Sequence, residues 1–150
     1  MYNIPYFKAK DHQEVVDFMY ANPFVTICGV DKEGFPVATQ VPVLLKIEAD
    51  KIIISGHVMR KQDHTNAFEL NNNVLVIFSA PSAFVSASWY SIKGVASTWN
   101  YQTVHARDRG NRTMEAETDG RWRMATTMMM MRVRQRLGGA RRAFVFFFDE

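Results

Sequence analysis

A mainly β fold, a β-barrel with peripheral helices, is predicted for this 150-residue chain from three observations. Short runs rich in β-branched and aromatic residues recur between turn signals. Only two stretches of the first 106 residues carry helical spacing. Several short strands in so small a chain must also dispose of their edges, and closing wholly or partly into a barrel is one way to do that. One domain with its own core is the default at this length, and a partner subunit would add burial.

The first element is a helix. Asp11-His-Gln-Glu14 has capping-box spacing, Val15, Phe18 and Met19 follow at helical intervals, and Asn22-Pro23 stops the run. Phe24 to Val30 and Pro36 to Ile47 read as a hairpin, joined through Asp31-Lys-Glu-Gly34. Pro42 cannot donate to a ladder, so a bulge, bend or edge is expected there. Ala49-Asp50 make a turn into the strand Lys51 to Gly56. His57-Val-Met-Arg60-Lys61 leads to a second short helix over Asp63 to Leu70, ended by Asn71-Asn-Asn73. Val74 to Phe78 resumes strand, Ala80-Pro-Ser82 breaks it, and two extended segments follow, at about 83 to 91 and 95 to 105.

Charge divides the chain. Residues 1 to 106 hold eight Lys and Arg against nine Asp and Glu, whereas residues 107 to 150 hold ten Arg, no Lys and six acids. The basic excess therefore lies beyond Ala106 and says little about the body. Past that point the turn-and-strand rhythm also stops, and Met128 to Met131 form a run. Two readings stay open for this Arg/Met-rich segment. One is a short helix around 122 to 137 with a terminal strand at Ala143 to Phe148, and the other is a change of reading frame near Arg107.

The sequence narrows the function classes. Cys28 is the single cysteine, which excludes a disulfide framework or a cysteine-based zinc site and fits a reducing compartment. MYNIPYFKAK lacks the layout of a signal peptide, and no apolar run is long enough to span a bilayer. A soluble, cytoplasmic protein is expected. His12, His57, His64 and His105 show no metal-binding spacing, Ser86 lacks the elbow of a nucleophilic serine, and there is no P-loop or GxGxxG. No catalytic residue set and no metal site can be named, so any chemistry is expected to come from a bound cofactor.

Two stretches invite a binding role. In 82 to 106, SAFVSASWYSIKGVASTWNYQTVHA, rings alternate with small hydroxyl side chains. Strand alternation would put Phe84, Ser86, Ser88 and Tyr90 on one face and Trp99, Tyr101, Thr103 and His105 on another. Pattern alone leaves open a mixed barrel strand or a slot for a flat ligand. In Gly56 to Lys61, adjacent cations before a helix suit a phosphate, although charged residues there are also ordinary solvated surface.

AFVSASWY and STWNYQTVHA, preceded in order by VATQVPVLL and SGHVMRK, resemble the PaiB-like family of FMN-binding negative transcriptional regulators. MYNIPYF and the NPF after the first helix belong to the same ordered match, which covers residues 1 to 106 as an FMN-binding domain and leaves 107 to 150 atypical. The resemblance implies an FMN-binding split β-barrel, dimeric, with one FMN in each of two clefts between the subunits of a homodimer. It implies that His57, Arg60 and Lys61 bind the FMN phosphate with help from Ser86 or Ser88. Ala38, Thr39, Gln40 and Val41 would line the isoalloxazine edge, and Trp89, Tyr90, Trp99 and Asn100 would wall the cleft or pack across the dimer. DNA enters as a partner only through the family name, because no recognition helix or basic body supports it. A small flavin-dependent oxidoreductase using FMN for hydride or electron transfer is the alternative function.

Overall fold

The computed structural model describes residues 11–48, 51–71, 73–107, 115–116, 121–127, 131–133 and 144–147. In chain order these give α1 (His12–Ala21), β1 (Phe24–Val30), β2 (Pro36–Glu48), β3 (Lys51–His57), α2 (Asp63–Leu70), β4 (Leu75–Ser79) and β5 (Ala83–Val85). Then come β6 (Thr98–Asn100), β7 (Gln102–Arg107), β8 (Glu115–Ala116), β9 (Arg121–Thr127), β10 (Met131–Val133) and β11 (Phe144–Phe147). Among the described residues the fold is mainly β with two α-helices, as predicted. MYNIPYF, Ala49-Asp50 and Met128 to Met130 lie outside the described residues.

Local chemistry sets the first elements. The Asp11 carboxylate accepts from the Glu14 backbone N–H at 2.9 Å and caps α1, whose Val15, Val16 and Met19 are buried. Asp31 closes the β1–β2 hairpin by accepting from the N–H groups of Glu33 and Phe35, at 3.0 and 2.8 Å, with Gly34 at φ 89°.

One sheet runs β10-β11-β7-β4-β1-β2-β3-β9-β8, and β5-β6 form a separate ribbon. The hinge of this arrangement is β2. Residues 36 to 42 pair with β1, while 43 to 48 pair with β3, so the strand changes partners at Pro42. Of the bulge, bend or edge expected there, the bulge is absent, because the register passes through Phe24↔Pro42 without an extra residue, and the edge is present, because β3 pairs only from Val43 onward. Val43 donates its N–H to the Pro23 carbonyl at 2.8 Å, so odd-numbered residues of β2 turn their main chain toward β1. The nitrogen of Pro42 points the other way. Its missing donor therefore costs the β1 ladder nothing.

Alternation makes one face of the sheet the core. Val25 and Ile27 of β1, Val41 and Val43 of β2, Ile52 and Ile54 of β3, Val76 and Phe78 of β4, and Val104 and Ala106 of β7 are all buried. Val15, Val16 and Met19 of α1 and Ala67 and Phe68 of α2 join them in one cluster. The α2 contact depends on Gly29, since a Cβ there would lie 2.7 Å from Cε1 of the buried Phe68 ring. Gly29→Ala should lower stability by about 1–2 kcal/mol through overpacking, measured by urea unfolding.

Two sequence expectations are corrected. The segment 83 to 91 is not one strand: β5 stops at Val85, and Ala87–Trp89 form a 3-10 turn. The Ser86 hydroxyl accepts from the Ser88 N–H at 3.2 Å, a local side-chain bond that competes with the ladder. The expected alternation of Phe84, Ser86, Ser88 and Tyr90 on one face therefore fails. Of the two readings left open past Ala106, the helix around 122 to 137 does not hold at Arg121–Thr127 and Met131–Val133, which are strands, β9 pairing antiparallel to β3 from Lys51↔Thr127 to His57↔Arg121. Tertiary pairing with an available sheet edge overrides the helical pattern. The expected terminal strand is present as β11, parallel to β7.

Candidate functional site

The ladders bring the two binding stretches to one end of the sheet. In successive registers, Val104 faces Phe78, Phe78 faces Val25, Val25 faces Val41, and Val43 faces Gly56. The end of β3, from which His57 to Lys61 departs, thus lies at the same end as the exit of β4 and the entry of β7. Those two carry the β5–β6 ribbon. Three inter-strand steps separate β3 from β4, roughly 14 Å measured along the sheet.

Beyond His57 the chain is fastened by buried Val58 and by the Thr65 hydroxyl, which donates to the Met59 carbonyl and ties the loop to the first helical turn of α2. Arg60 and Lys61 form the intervening turn, and both are exposed. Lys61 has φ 59°, the left-handed region that a non-glycine residue seldom occupies. No side chain caps α2 at Gln62. Asp63 stands in that first turn, its carboxyl held below the ordinary range by hydrogen bonds from the His64 backbone and ring, and it opposes an anion there. The cation pair therefore has to supply most of the attraction.

Along β2 the four predicted edge residues divide by parity. Thr39 and Val41 turn their main chain to β1, and the Val41 side chain is buried in the core. Ala38 and Gln40 direct their N–H and C=O groups to the opposite side, where β3 has not begun to pair. Gln40 is further oriented by a 3.5 Å contact from Nε2 to Oγ1 of Thr26. Among the described residues no strand pairs with that side, and such an edge offers alternating donors and acceptors at fixed spacing. That suits a planar ligand carrying its own donor and acceptors along one edge.

On the ribbon, Phe84 pairs with Trp99 and their rings sit 5.6 Å apart, tilted by 60°. Trp89 and Trp99 are 71% and 55% exposed. Ser86 and Ser88 bring their hydroxyls within 2.8 Å of each other, through the 3-10 turn and not through strand alternation. The Tyr90 hydroxyl is buried and has no hydrogen-bond partner among the described residues. Asn100, half-buried, faces Ala83 across the ribbon. Sequence reading missed Ser97, whose Oγ accepts the Ala87 N–H at 2.9 Å and holds the 3-10 turn in place. Only its place in a run of small hydroxyl residues hinted at such a role.

His105, on β7, lies on the face away from the core, where it is registered with Ile77. Burial, with the nearby Arg107 charge adding, lowers its pKa to about 4. An unfolded chain takes up this proton near pH 6.5 and the native chain only near 4, so stability falls as pH drops through that window. Allowing for the ring's partial exposure, the loss should be on the order of 1–2 kcal/mol. His105→Gln should flatten the dependence of denaturation midpoint on pH between those values.

Among the described residues no group of three or more His, Cys, Asp or Glu could hold a metal ion. No helix among them is long and apolar enough to cross a membrane.

A family model described as "Putative FMN-binding domain" matches residues 1–135. The chain belongs to this FMN-binding domain family. Its match runs past Ala106 and takes in the residues of β8, β9 and β10. The chain is also 38% identical over 105 residues to the Protease synthase and sporulation protein PAI 2 of Bacillus subtilis (strain 168), covering 70% of this chain and 50% of the relative. It is thus PaiB-like, and it spans about half the length of that curated relative. Among solved structures, one similar fold is described as a "putative 5-nitroimidazole antibiotic resistance protein" from Bacteroides thetaiotaomicron. It has TM-score 0.51 and 12% identity over 80% of this chain and 81% of that one. Another is the FAD and heme binding protein from Mycobacterium smegmatis, with TM-score 0.50 and 12% identity over 80% of this chain and 67% of that one. At such identity the likeness shows the fold. FMN is the cofactor that family membership assigns, and an open donor–acceptor edge with a nearby cation pair fits a planar heterocycle that carries a phosphate.

Proposed function

We propose that this chain is an FMN-binding regulator of the PaiB type, holding FMN between the subunits of a split-barrel homodimer in the cytoplasm. The observation that carries this reading is the open edge of β2 at Ala38 and Gln40, beside the strand corner that leads to Arg60 and Lys61. In it, Ala38 and Gln40 bond the pyrimidine edge of the flavin, while Arg60 and Lys61 neutralise the phosphate with His57 beside them. Ser86 or Ser88 adds a hydroxyl donor to that phosphate. Trp89, Tyr90, Trp99 and Asn100 wall the cleft and exclude water. Thr39 and Val41 act from behind, by anchoring the edge to β1.

The dimer is supported by what one copy leaves uncovered. Phe24, Leu44 and Met59 are 59%, 77% and 69% exposed, in addition to Trp89 and Trp99. Apolar side chains so close to one sheet end favour a second copy against them. The separation of roughly 14 Å between β3 and β4 along the sheet also suits a cleft completed by the partner.

Bound FMN supplies the capacity for hydride or electron transfer. The likeness to the PaiB-type relative is what favours the regulatory reading over the oxidoreductase. Loss of DNA retardation at every salt concentration, with anaerobic bleaching by NADH or NADPH, would reverse that preference.

Ala38→Pro tests the site itself. It removes an outward N–H at an edge that tolerates proline, and leaves the β1 ladder intact. FMN affinity, followed by flavin fluorescence, should fall by about 0.5–1.5 kcal/mol with an unchanged circular dichroism spectrum. Unchanged affinity would remove Ala38 from the site.

A further inference from the structure

The start of α2 carries a charge that works against the anion proposed beside it. Asn66 donates its N–H to the Gln62 carbonyl at 3.0 Å, the first bond of the helix, so the amides of Asp63, His64 and Thr65 precede that ladder. Helix-start amides of this kind are what a phosphate uses. One of them is already taken: the His64 N–H donates to Asp63 Oδ1 at 2.7 Å, and the His64 ring meets the same oxygen from Nδ1 at 3.1 Å. Those bonds hold the carboxyl below its ordinary pKa, so it is charged at neutral pH.

We infer that Asp63 sets the strength of the phosphate site: its carboxylate competes with the FMN phosphate for the start of α2, which makes FMN an exchangeable ligand and not a permanently held one. This follows only if the phosphate sits at Arg60 and Lys61, as proposed above. Asp63 comes just after that cation pair in the chain, so its charge subtracts from theirs at short range. Gln62 gives α2 no side-chain cap, which leaves the helix-start amides to Asp63 or to a ligand. An acid in a first turn ordinarily stabilises its helix through the dipole. The two roles have opposite signs on ligand affinity, and that makes them separable. Removing the charge should cost the helix and favour the anion.

Equilibrium dialysis of the full chain at low salt, against FMN and against riboflavin, tests this. Wild type should bind FMN more tightly than riboflavin. Asp63→Asn should tighten FMN about twofold to fivefold, the range of a first-turn charge at a helix start, and slow its release by a similar factor. Riboflavin affinity should not change, and the melting temperature should not rise. Asp63→Ala, which also frees the His64 amide, should tighten FMN at least as much. The Asp63 side chain is 80% exposed, so added NaCl should narrow the gap between wild type and Asp63→Asn. FMN bound no more tightly by either variant, or riboflavin tightened as much as FMN, would overturn the role of Asp63 and leave the phosphate reading standing. Equal wild-type affinity for FMN and riboflavin would instead remove the phosphate from this turn, and the role of Asp63 with it.

Discussion

Phe78→Ala is expected to destabilise the protein by about 3–5 kcal/mol, the largest effect of any single substitution considered. Phe78 is fully buried in β4, registered with Val25 on one side and Val104 on the other. Val15, Met19 and Phe68 belong to the same cluster, so Phe78 sits in the core that sheet and helices share. Truncation removes the ring's transfer energy and leaves a void that paired strands cannot close. Small domains have only about 5–15 kcal/mol to lose, so the variant should be part-unfolded near physiological temperature. Urea denaturation followed by tryptophan fluorescence measures this. A midpoint close to wild type would mean that the sheet and helices do not share one core.

Arg60→Ala is expected to weaken FMN by about 1.5–3 kcal/mol, a drop of tenfold or more in affinity, while leaving stability near wild type. The two outcomes are separable because Arg60 is exposed and follows the buried anchor Val58. Asp63 in the adjoining helical turn bears a carboxylate, so the local field favours an anion only through the Arg60–Lys61 pair. Arg60→Lys should recover only part of the loss, since an ammonium keeps the charge without the planar fork. Loss of riboflavin affinity equal to that of FMN would indicate that Arg60 acts on the ring and not on the phosphate.

The comparison of sequence with structure sorts by the range of the forces involved. Asp11, Asp31 and Gly34 act within a few residues, and the helix and hairpin they control were legible. So was α2, over the predicted residues. Pro42 announced that something happens in β2, yet the partner change it marks depends on where β3 returns. Ser86 is a strand residue by alternation and a turn cap in fact, because its hydroxyl found the Ser88 amide first. Strand β9 was hidden for the opposite reason: nothing local distinguishes Arg121–Thr127 from a helix, and the edge of β3 decides. The site shows the same division. The cations and aromatic motifs could be listed from the chain. The left-handed Lys61 and the outward parity of Ala38 and Gln40 could not, since both are properties of backbone geometry.

The central claim is that a pair of chains holds FMN at the open β2 edge. Native mass spectrometry of the purified protein, with an absorbance spectrum of the same sample, tests it most directly. The account predicts a dimer carrying two FMN and flavin absorbance that Arg60→Ala diminishes. A colourless monomer that cannot be reconstituted with FMN would contradict it.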